Sequence, residues 1–244
     1  MAFRSFLIFA IRIARGLVSL SLFALFGVGA VFISLLMPFL GGIERRQRTV
    51  RFAWRILLAT FEATGLVRVD SAGAPKCRGS VIVSNHPSLI DVVIYIALVP
   101  KTLYVAKSAL LGNPFMSMIV RSTSLPDDET LPKTAKTYLE NGWNVLVFPE
   151  GTRSPDNGLW PFRRGAAHVA LEAGAPIVVS SLALSRKILG KRQKPWEMGE
   201  ERVVYSILSD PPMAVSQKCG ESRHAAAKRI TSDLEAAMLG RNLS

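Results

Sequence analysis

Residues 81–99 have the sequence VIVSNHPSLIDVVIYIALV. The short β-branched run at 81–84 lacks polar alternation, which is typical of a strand that is buried on both faces. The turn-forming residues Asn85, His86 and Pro87 follow, and helical spacing of apolar residues resumes over 89–99. A buried strand that leads directly into a helix predicts one unit of an α/β fold.

The same alternation continues along the chain, because further β-branched runs are bounded by Gly, Pro or Asn and separated by helical patterns. We therefore predict a mainly parallel sheet flanked by helices. The predicted strands are 81–84, 102–106, 143–148, 176–184 and 203–208; the predicted helices are 89–99, 115–122, 130–142, 165–174 and a closing helix over 219–239.

The composition points to an anionic partner. Hydrophobic residues form 49% of the 244 residues, and 30 Lys and Arg against 18 Asp and Glu give a net charge of +12. This apolar content excludes a disordered chain, and the charge favours nucleic acid or an acidic membrane surface. The two cysteines, Cys77 and Cys219, are too few for a disulfide framework or a zinc ribbon.

The N-terminal part predicts attachment to a membrane. No charged residue occurs between Gly16 and Ile43, a stretch long enough to cross a bilayer as a helix, and arginines are dense on both sides. Two hypotheses remain open. The stretch forms one straight span, or it forms a hairpin broken near Gly27–Gly29 or Pro38–Gly41 that keeps both flanks on one face.

Two further segments carry the basic surplus. Residues 50–66 have helical spacing with arginines among the apolar residues, which fits an interfacial amphipathic helix or a helix packed on the core. Arg186 to Lys194 hold five positive charges in nine residues. Without interleaved aromatic residues this cluster does not resemble a nucleic-acid motif, so contact with lipid headgroups, an acidic carrier or solvent remains open.

His86 and Asp91 form the first candidate catalytic pair. His86 lies where a strand ends, and Asp91 lies about one turn into the following helix, so the carboxylate can hold the imidazole. It would fix the tautomer and stabilise the imidazolium that forms when the other ring nitrogen takes a proton. Because no protein nucleophile accompanies this pair, we expect it to activate a hydroxyl of a substrate.

The second candidate site follows the predicted strand 143–148 and reads Pro149-Glu150-Gly151-Thr152-Arg153-Ser154. Glycine permits close approach of backbone to a ligand, and the guanidinium offers a planar fork that suits phosphate. Ligands bind beyond the carboxyl ends of the strands in such sheets, so we expect this loop near His86. A surface turn with a solvated arginine is the alternative.

Together the motifs resemble the glycerolipid acyltransferases, typified by 1-acylglycerol-3-phosphate acyltransferase. NHPSLID resembles the family's His-x4-Asp block, FPEGTRS its third block and GAPIVVSSLALS its fourth, with FRRGAAHVALEAG between them. The resemblance covers roughly residues 75–190. It implies that His86 is the general base, that Asp91 orients it, and that Glu150, Gly151, Thr152 and Arg153 shape the acceptor site.

The chain departs from the family's second block, which normally ends in an arginine that helps hold the acceptor's phosphate. The corresponding region contains the acidic residues Asp127, Asp128 and Glu129, and Arg121 lies several residues earlier. If the acidic residues line the acceptor site, they would repel a phosphate. If Arg121 replaces the missing arginine, a phosphate-bearing acceptor is expected.

We thus expect a membrane-bound O-acyltransferase, with residues 1–66 as anchor and 67–244 as catalytic domain. The donor would be acyl-CoA or an acyl carrier protein, and the acceptor a lysolipid such as 1-acylglycerol-3-phosphate. An amino-acid lipid, a polyene lipid or a non-catalytic headgroup-binding role are alternatives. We expect no metal, cofactor or nucleic acid, and a catalytic domain on the cytoplasmic face of the inner membrane.

Overall fold

The computed structural model describes residues 2–107 and 117–242. The first half contains helices α1 (Ala2–Leu36) and α2 (Gly42–Ala63), strand β1 (Val67–Asp70), strand β2 (Val81–Ser84), helix α3 (Asp91–Leu98) and strand β3 (Thr102–Ala106). The second half contains α4 (Ser117–Thr123), β4 (Ser124–Pro126), α5 (Leu131–Glu140), β5 (Asn144–Val147), α6 (Gly165–Ala173), β6 (Ile177–Leu184), β7 (Val203–Ser209) and α7 (Arg223–Asn242).

The strands form one mixed sheet in the order β1-β7-β6-β2-β5-β3-β4. Five neighbouring strands from β6 to β4 are parallel, and β7 pairs antiparallel with β6 while β1 is parallel to β7. The predicted fold class is therefore confirmed. Two short edge strands, β1 and β4, were not predicted, and residues 115–116 of the predicted helix 115–122 lie outside the described residues.

Alternate residues of the central strands pack on opposite sides of the sheet. Val81, Val83 and Val145 face α5, α6 and α7, whereas Ile82 and Leu146 face α2 and α3. Both faces are covered, so the central strands are buried throughout, as β-branched runs without alternation require. Helix α6 ends at Ala173, and Gly174 with its left-handed φ of 61° forms the C-terminal cap.

Helices α1 and α2 form a hairpin. Helix α1 continues through Gly27–Gly29, a short 3₁₀ turn follows at Met37–Phe39, and α2 begins at Gly42. The rings of Phe23 and Phe61 lie 5.7 Å apart, which brings the middle of α1 against the end of α2. The chain therefore bends in the predicted Pro38–Gly41 region and not at the glycines.

Helix α1 lies along the domain instead of projecting from it. A stripe that contains Gly16, Ser19, Phe23 and Ala30 faces the protein, and the rest of the helix exposes large apolar side chains. By length and composition, Arg4–Phe39 is a helix that could cross a membrane. Helix α2 buries Leu57, Leu58 and Phe61 in the core and exposes Phe52 and Ile56, so it packs on the domain with one face.

Candidate active site

The loops that follow β2 and β5 meet because these two strands are parallel neighbours with Val83 opposite Val147. Both strands therefore deliver their carboxyl ends to the same edge of the sheet. The backbone N–H of Ser154 donates to the carbonyl of His86 at 2.7 Å, and the N–H of His86 donates to the Ser154 hydroxyl at 3.1 Å. The two motifs that the sequence singled out thus form one site.

His86 and Asp91 form a hydrogen-bonded pair. Nδ1 of His86 lies 2.8 Å from Oδ2 of Asp91, and the same oxygen accepts the backbone N–H of Ser88 at 2.8 Å. The ring of His86 stacks on Phe148 with centroids 4.3 Å apart, which fixes its plane. Because Nδ1 faces the carboxylate, Nε2 is the ring nitrogen that remains for a substrate.

The Asp91 carboxylate is completely buried at the first turn of α3. Burial raises the pKa of Asp91, while the hydrogen bonds from His86 and from the Ser88 N–H and the nearby charge of Arg153 oppose that rise. Its second oxygen, Oδ1, has no hydrogen-bond partner among the described residues. The pair therefore holds an acidic group in an apolar environment, as general-base sites often do.

A buried hydroxyl of β7 supports this pair from behind. The Tyr205 hydroxyl donates to the Ser88 hydroxyl at 2.8 Å, and Ser88 in turn supplies the N–H that Asp91 accepts. Burial raises the pKa of Tyr205, and the charge of Asp91 raises it further. Neither Ser88 nor Tyr205 was identified from the sequence, because their contact joins residues that are far apart in the chain.

Glu150 organises the two loops. The side chain is 3% exposed, and Oε1 accepts the backbone N–H of His86 at 3.3 Å and the Ser154 hydroxyl at 2.5 Å. Oε2 accepts the backbone N–H of Trp160 at 2.9 Å. These three bonds use the carboxylate within the protein, so Glu150 shapes the site by fixing the backbone on which His86 lies.

The rest of the second motif lines the site. Gly151 has a φ of 66°, which favours glycine, and its backbone lies against the exposed guanidinium group of Arg163. One terminal nitrogen of Arg153 donates to the carbonyls of Leu189 at 2.8 Å and Gly190 at 2.9 Å. These bonds orient the guanidinium, which still borders the cavity beside His86.

A cavity of about 330 Å³ opens beside His86 at the carboxyl edge of the sheet. Among the described residues, four charged ones line it, namely Lys107, Asp127, Arg153 and Arg163, together with apolar surface from Val92, Tyr104, Leu131 and Phe148. Lys107 and Arg163 were not predicted from the sequence. The position of Lys107 directly after β3 is a signal that could have identified it, since β3 ends at the same edge as β5.

The segment that carries both motifs is similar to known proteins. A family model described as Acyltransferase matches residues 67–182, which include both motifs. Residues 67–182 form a domain of the acyltransferase family. The resemblance that the motifs carry is therefore confirmed, and the match begins where α2 has ended.

Curated acyltransferases from bacteria and animals are similar to part of this chain. The 1-acyl-sn-glycerol-3-phosphate acyltransferase of Salmonella typhimurium is 32% identical over 44% of this chain and 48% of that protein. The human 1-acyl-sn-glycerol-3-phosphate acyltransferase alpha is 28% identical over 61% of this chain and 57% of that protein. The chain thus spans about half the length of these relatives.

A solved acyltransferase shares the fold. The crystal structure of the 1-acyl-sn-glycerophosphate (LPA) acyltransferase from Thermotoga maritima matches with a TM-score of 0.67 and 21% identity, over 93% of this chain and 97% of that one. At this identity the likeness concerns the fold, which includes the flanked, mostly parallel sheet.

The charged residues in the region of the second block lie in surroundings that differ from one another. Arg121 is exposed on α4, before β4 begins, and does not line the cavity. Asp127 lines the cavity, whereas the carboxylate of Asp128 accepts the N–H and the hydroxyl of Thr130, and Glu129 is exposed. One acidic residue of the three therefore faces the site.

Within residues 2–107 and 117–242, no group of three or more His, Cys, Asp or Glu side chains could hold a metal ion. His168 lies on α6 near Arg164 and Arg223, and burial lowers its pKa. His224 lies 2.6 Å from the Arg164 guanidinium at the surface. Neither histidine lines the cavity beside His86.

Proposed function

We propose that this protein is an acyltransferase that moves an acyl chain from an acyl thioester to the hydroxyl of a lysolipid, with 1-acylglycerol-3-phosphate as the acceptor. The observation that carries the proposal is the His86–Asp91 pair beside a cavity whose charged lining residues are mostly cationic. The acyltransferase domain over residues 67–182 and the names of the similar proteins support it.

In the proposed reaction, Nε2 of His86 takes the proton of the acceptor hydroxyl as its oxygen attacks the thioester carbonyl carbon. Asp91 stabilises the imidazolium that forms, and we place the donors for the oxyanion in the backbone of the 150–153 loop. The tetrahedral intermediate then expels the thiolate, which receives the proton from His86. An ester and a free thiol result, and no covalent acyl-enzyme is needed.

The charge of the cavity favours an anionic acceptor. Lys107, Arg153 and Arg163 place three positive charges around the space beside His86, against the single negative charge of Asp127. Arg163 is exposed, and its backbone N–H is held by the carbonyl of Pro149 at 2.9 Å, which fixes it next to the second motif. A phosphate in this position would pair with the arginine forks while the hydroxyl approaches His86.

The second candidate is an acceptor with a cationic or neutral group, which the negative charge of Asp127 favours. Its carboxylate lines the cavity and comes from the region that corresponds to the family's second block. An amino-acid lipid or a polyene lipid would suit that charge better than a phosphate does. The non-catalytic alternative, a headgroup-binding protein, has no comparable observation in its favour, because it would not need the His86–Asp91 pair.

We further propose that residues 1–66 attach the enzyme to a membrane and that 67–244 form its catalytic domain, on the cytoplasmic side. Helix α1 lies along the domain over much of its length and exposes Leu17, Leu25, Phe32 and Leu35 on its other face. An apolar face of this kind suits a helix embedded in one leaflet, parallel to the surface. A one-tailed lipid could then reach the cavity from the bilayer.

Thiol release from acyl-CoA, and separately from an acylated carrier protein, tests the proposal on the full chain in detergent micelles. Lysophosphatidate is compared with lysolipids whose headgroups are neutral or cationic, and Asp127→Asn is compared with wild type. We expect release that depends on lysophosphatidate and increases in Asp127→Asn. Activity with cationic or neutral acceptors alone would select the second candidate, and no release with any acceptor would refute transfer.

A further inference from the structure

The segment between β6 and β7 carries a charged feature that the proposed reaction does not use. Its residues 191–196, with the sequence KRQKPW, are called here the basic loop. Lys191, Arg192 and Lys194 are exposed, and none of them forms an ion pair with another residue in the described ranges. These charges are free to meet an external partner.

The basic loop is fastened to helix α1. The Ser19 hydroxyl donates to the carbonyl of Pro195 at 2.6 Å, and Arg15 donates to the carbonyls of Gly199 at 3.0 Å and Glu201 at 2.9 Å. A Cβ at Gly16 would lie 2.8 Å from the carbonyl oxygen of Trp196, so the approach depends on glycine. The loop is therefore fixed to the stripe of the helix that faces the protein, next to apolar residues that the helix exposes.

The loop combines an aromatic ring with cations. Trp196 is 48% exposed, and the Lys194 ammonium lies 5.2 Å from the centre of its ring. Leu17 and Leu20 of α1, which directly follow the contact residues Gly16 and Ser19, are 60% and 43% exposed. Tryptophan and lysine beside an apolar surface are the combination that membrane proteins place at the level of the lipid headgroups.

Nearby acidic side chains neutralise the positive charge of the loop only in part. Glu200 pairs with Arg12, and the Glu197 carboxylate accepts the backbone N–H of Lys194 at 3.3 Å. An acidic carrier protein would also attract the three cations. It would, however, leave the exposed indole and the adjoining apolar face of α1 unexplained, whereas a bilayer accounts for both.

We propose that the basic loop docks on an anionic bilayer, with Lys191, Arg192 and Lys194 contacting lipid phosphates and Trp196 inserted at the headgroup level. The proposal rests on the membrane attachment proposed above and extends it to the catalytic domain. The carbonyls of Leu189 and Gly190, just before the loop, hold Arg153. Docking therefore places the acceptor cavity next to the surface from which a lysolipid enters.

The charge part is tested by vesicle flotation of the full chain, with phosphatidylcholine vesicles that contain either no phosphatidylglycerol or about 30% of it. Each basic residue near an anionic surface raises partition roughly fivefold, so neutralising three should lower the anionic-to-neutral partition ratio at least ~20-fold. The test variant is Lys191→Gln, Arg192→Gln and Lys194→Gln together. The control removes as many exposed charges from the other side of the sheet: Lys133→Gln, Lys218→Gln and Lys228→Gln.

The insertion part is tested by tryptophan quenching with brominated lipids in the same vesicles. The measurement uses a chain in which Trp54, on the segment proposed to attach to the membrane, and the half-exposed Trp160 are both replaced by phenylalanine. In that chain Trp196→Phe should remove most of the quenchable emission, while Trp143→Phe, which removes an indole buried in the core, should leave it unchanged. Equal partition ratios for the loop variant and the control, or equal quenching with and without Trp196, would overturn the proposal. So would loop variants that lose transfer from an acyl carrier protein but bind vesicles normally.

These outcomes are distinguishable from failure of the proposed function. The loop residues do not line the cavity beside His86, so the loop variants should retain transfer to a lysolipid in detergent micelles. A wild-type chain that transfers no acyl group but shows the expected partition and quenching would refute the reaction and retain the docking surface. A chain that transfers normally but binds both vesicle types equally would refute the docking surface and retain the proposed reaction.

Discussion

Replacing Glu150 by glutamine separates a structural role of this carboxylate from a role in binding the acceptor. The carboxylate accepts bonds from the N–H of His86, the hydroxyl of Ser154 and the N–H of Trp160, and it is buried. Glutamine keeps one acceptor oxygen and turns an NH₂ group toward at least one of these donors. One charge-assisted hydrogen bond is lost, at about 1.5–3 kcal/mol, and the others weaken.

We therefore expect Glu150→Gln to lower the free energy of unfolding by about 2–4 kcal/mol. Guanidinium unfolding of the detergent-solubilised chain, followed by tryptophan emission, measures the change. Glu140→Gln is the matched control, because Glu140 is exposed on α5 and paired with Lys136, and its loss should cost less than about 0.5 kcal/mol.

Kinetics complete the test of Glu150. Since the carboxylate fixes the backbone of His86, the variant should lose kcat while the KM for the acceptor changes little. A raised acceptor KM with unchanged unfolding free energy would refute the structural role. It would indicate that Glu150 contacts the acceptor directly, as the sequence alone also allowed.

Three further predictions concern the same site. His86→Ala should lower the rate of transfer at least ~10²-fold with an unchanged unfolding midpoint. A rate within about threefold of wild type would refute the role of His86 as general base. Asp91→Asn should lose activity severely, yet gain stability relative to wild type as the pH rises above the carboxyl's ordinary pKa of 3.8. Burial raises the pKa of Asp91, so the wild type loses stability on ionisation and asparagine does not; a relative gain that grows toward low pH would contradict this. Arg153→Lys should raise the KM of the acceptor more than that of the thioester, because the charge remains and the bidentate fork is lost; equal effects on both KM values would contradict it.

Local patterns in the sequence determined the fold class and the catalytic pair. Buried strands such as 81–84 are β-branched and continuous because both faces of the sheet are covered, and each is followed by a helical pattern. His86 and Asp91 are close in sequence, and the start of α3 at Asp91 suffices to bring the carboxylate to the ring. Short-range periodicity and spacing encode such features directly.

Tertiary structure decided the contacts that depend on strand order and on edges. Strands β1 and β4 have only four and three residues, and β4 ends in a proline, so pairing with a neighbour makes them strands and their own propensity does not. The position of α1 along the domain was likewise undetermined, because an apolar helix can cross a bilayer or lie on it with the same composition.

The residues that line the site also divide into those identified from the sequence and those placed only by the tertiary structure. Glu150 was identifiable as a residue of the site, but its bond to His86 depends on the pairing of β2 with β5. Lys107 and Arg163 reach the cavity only because β3 is the neighbour of β5 and the chain after Pro149 returns to it. Hydrogen bonds between residues tens of positions apart require the order and register of the sheet, and no local period in the sequence specifies either.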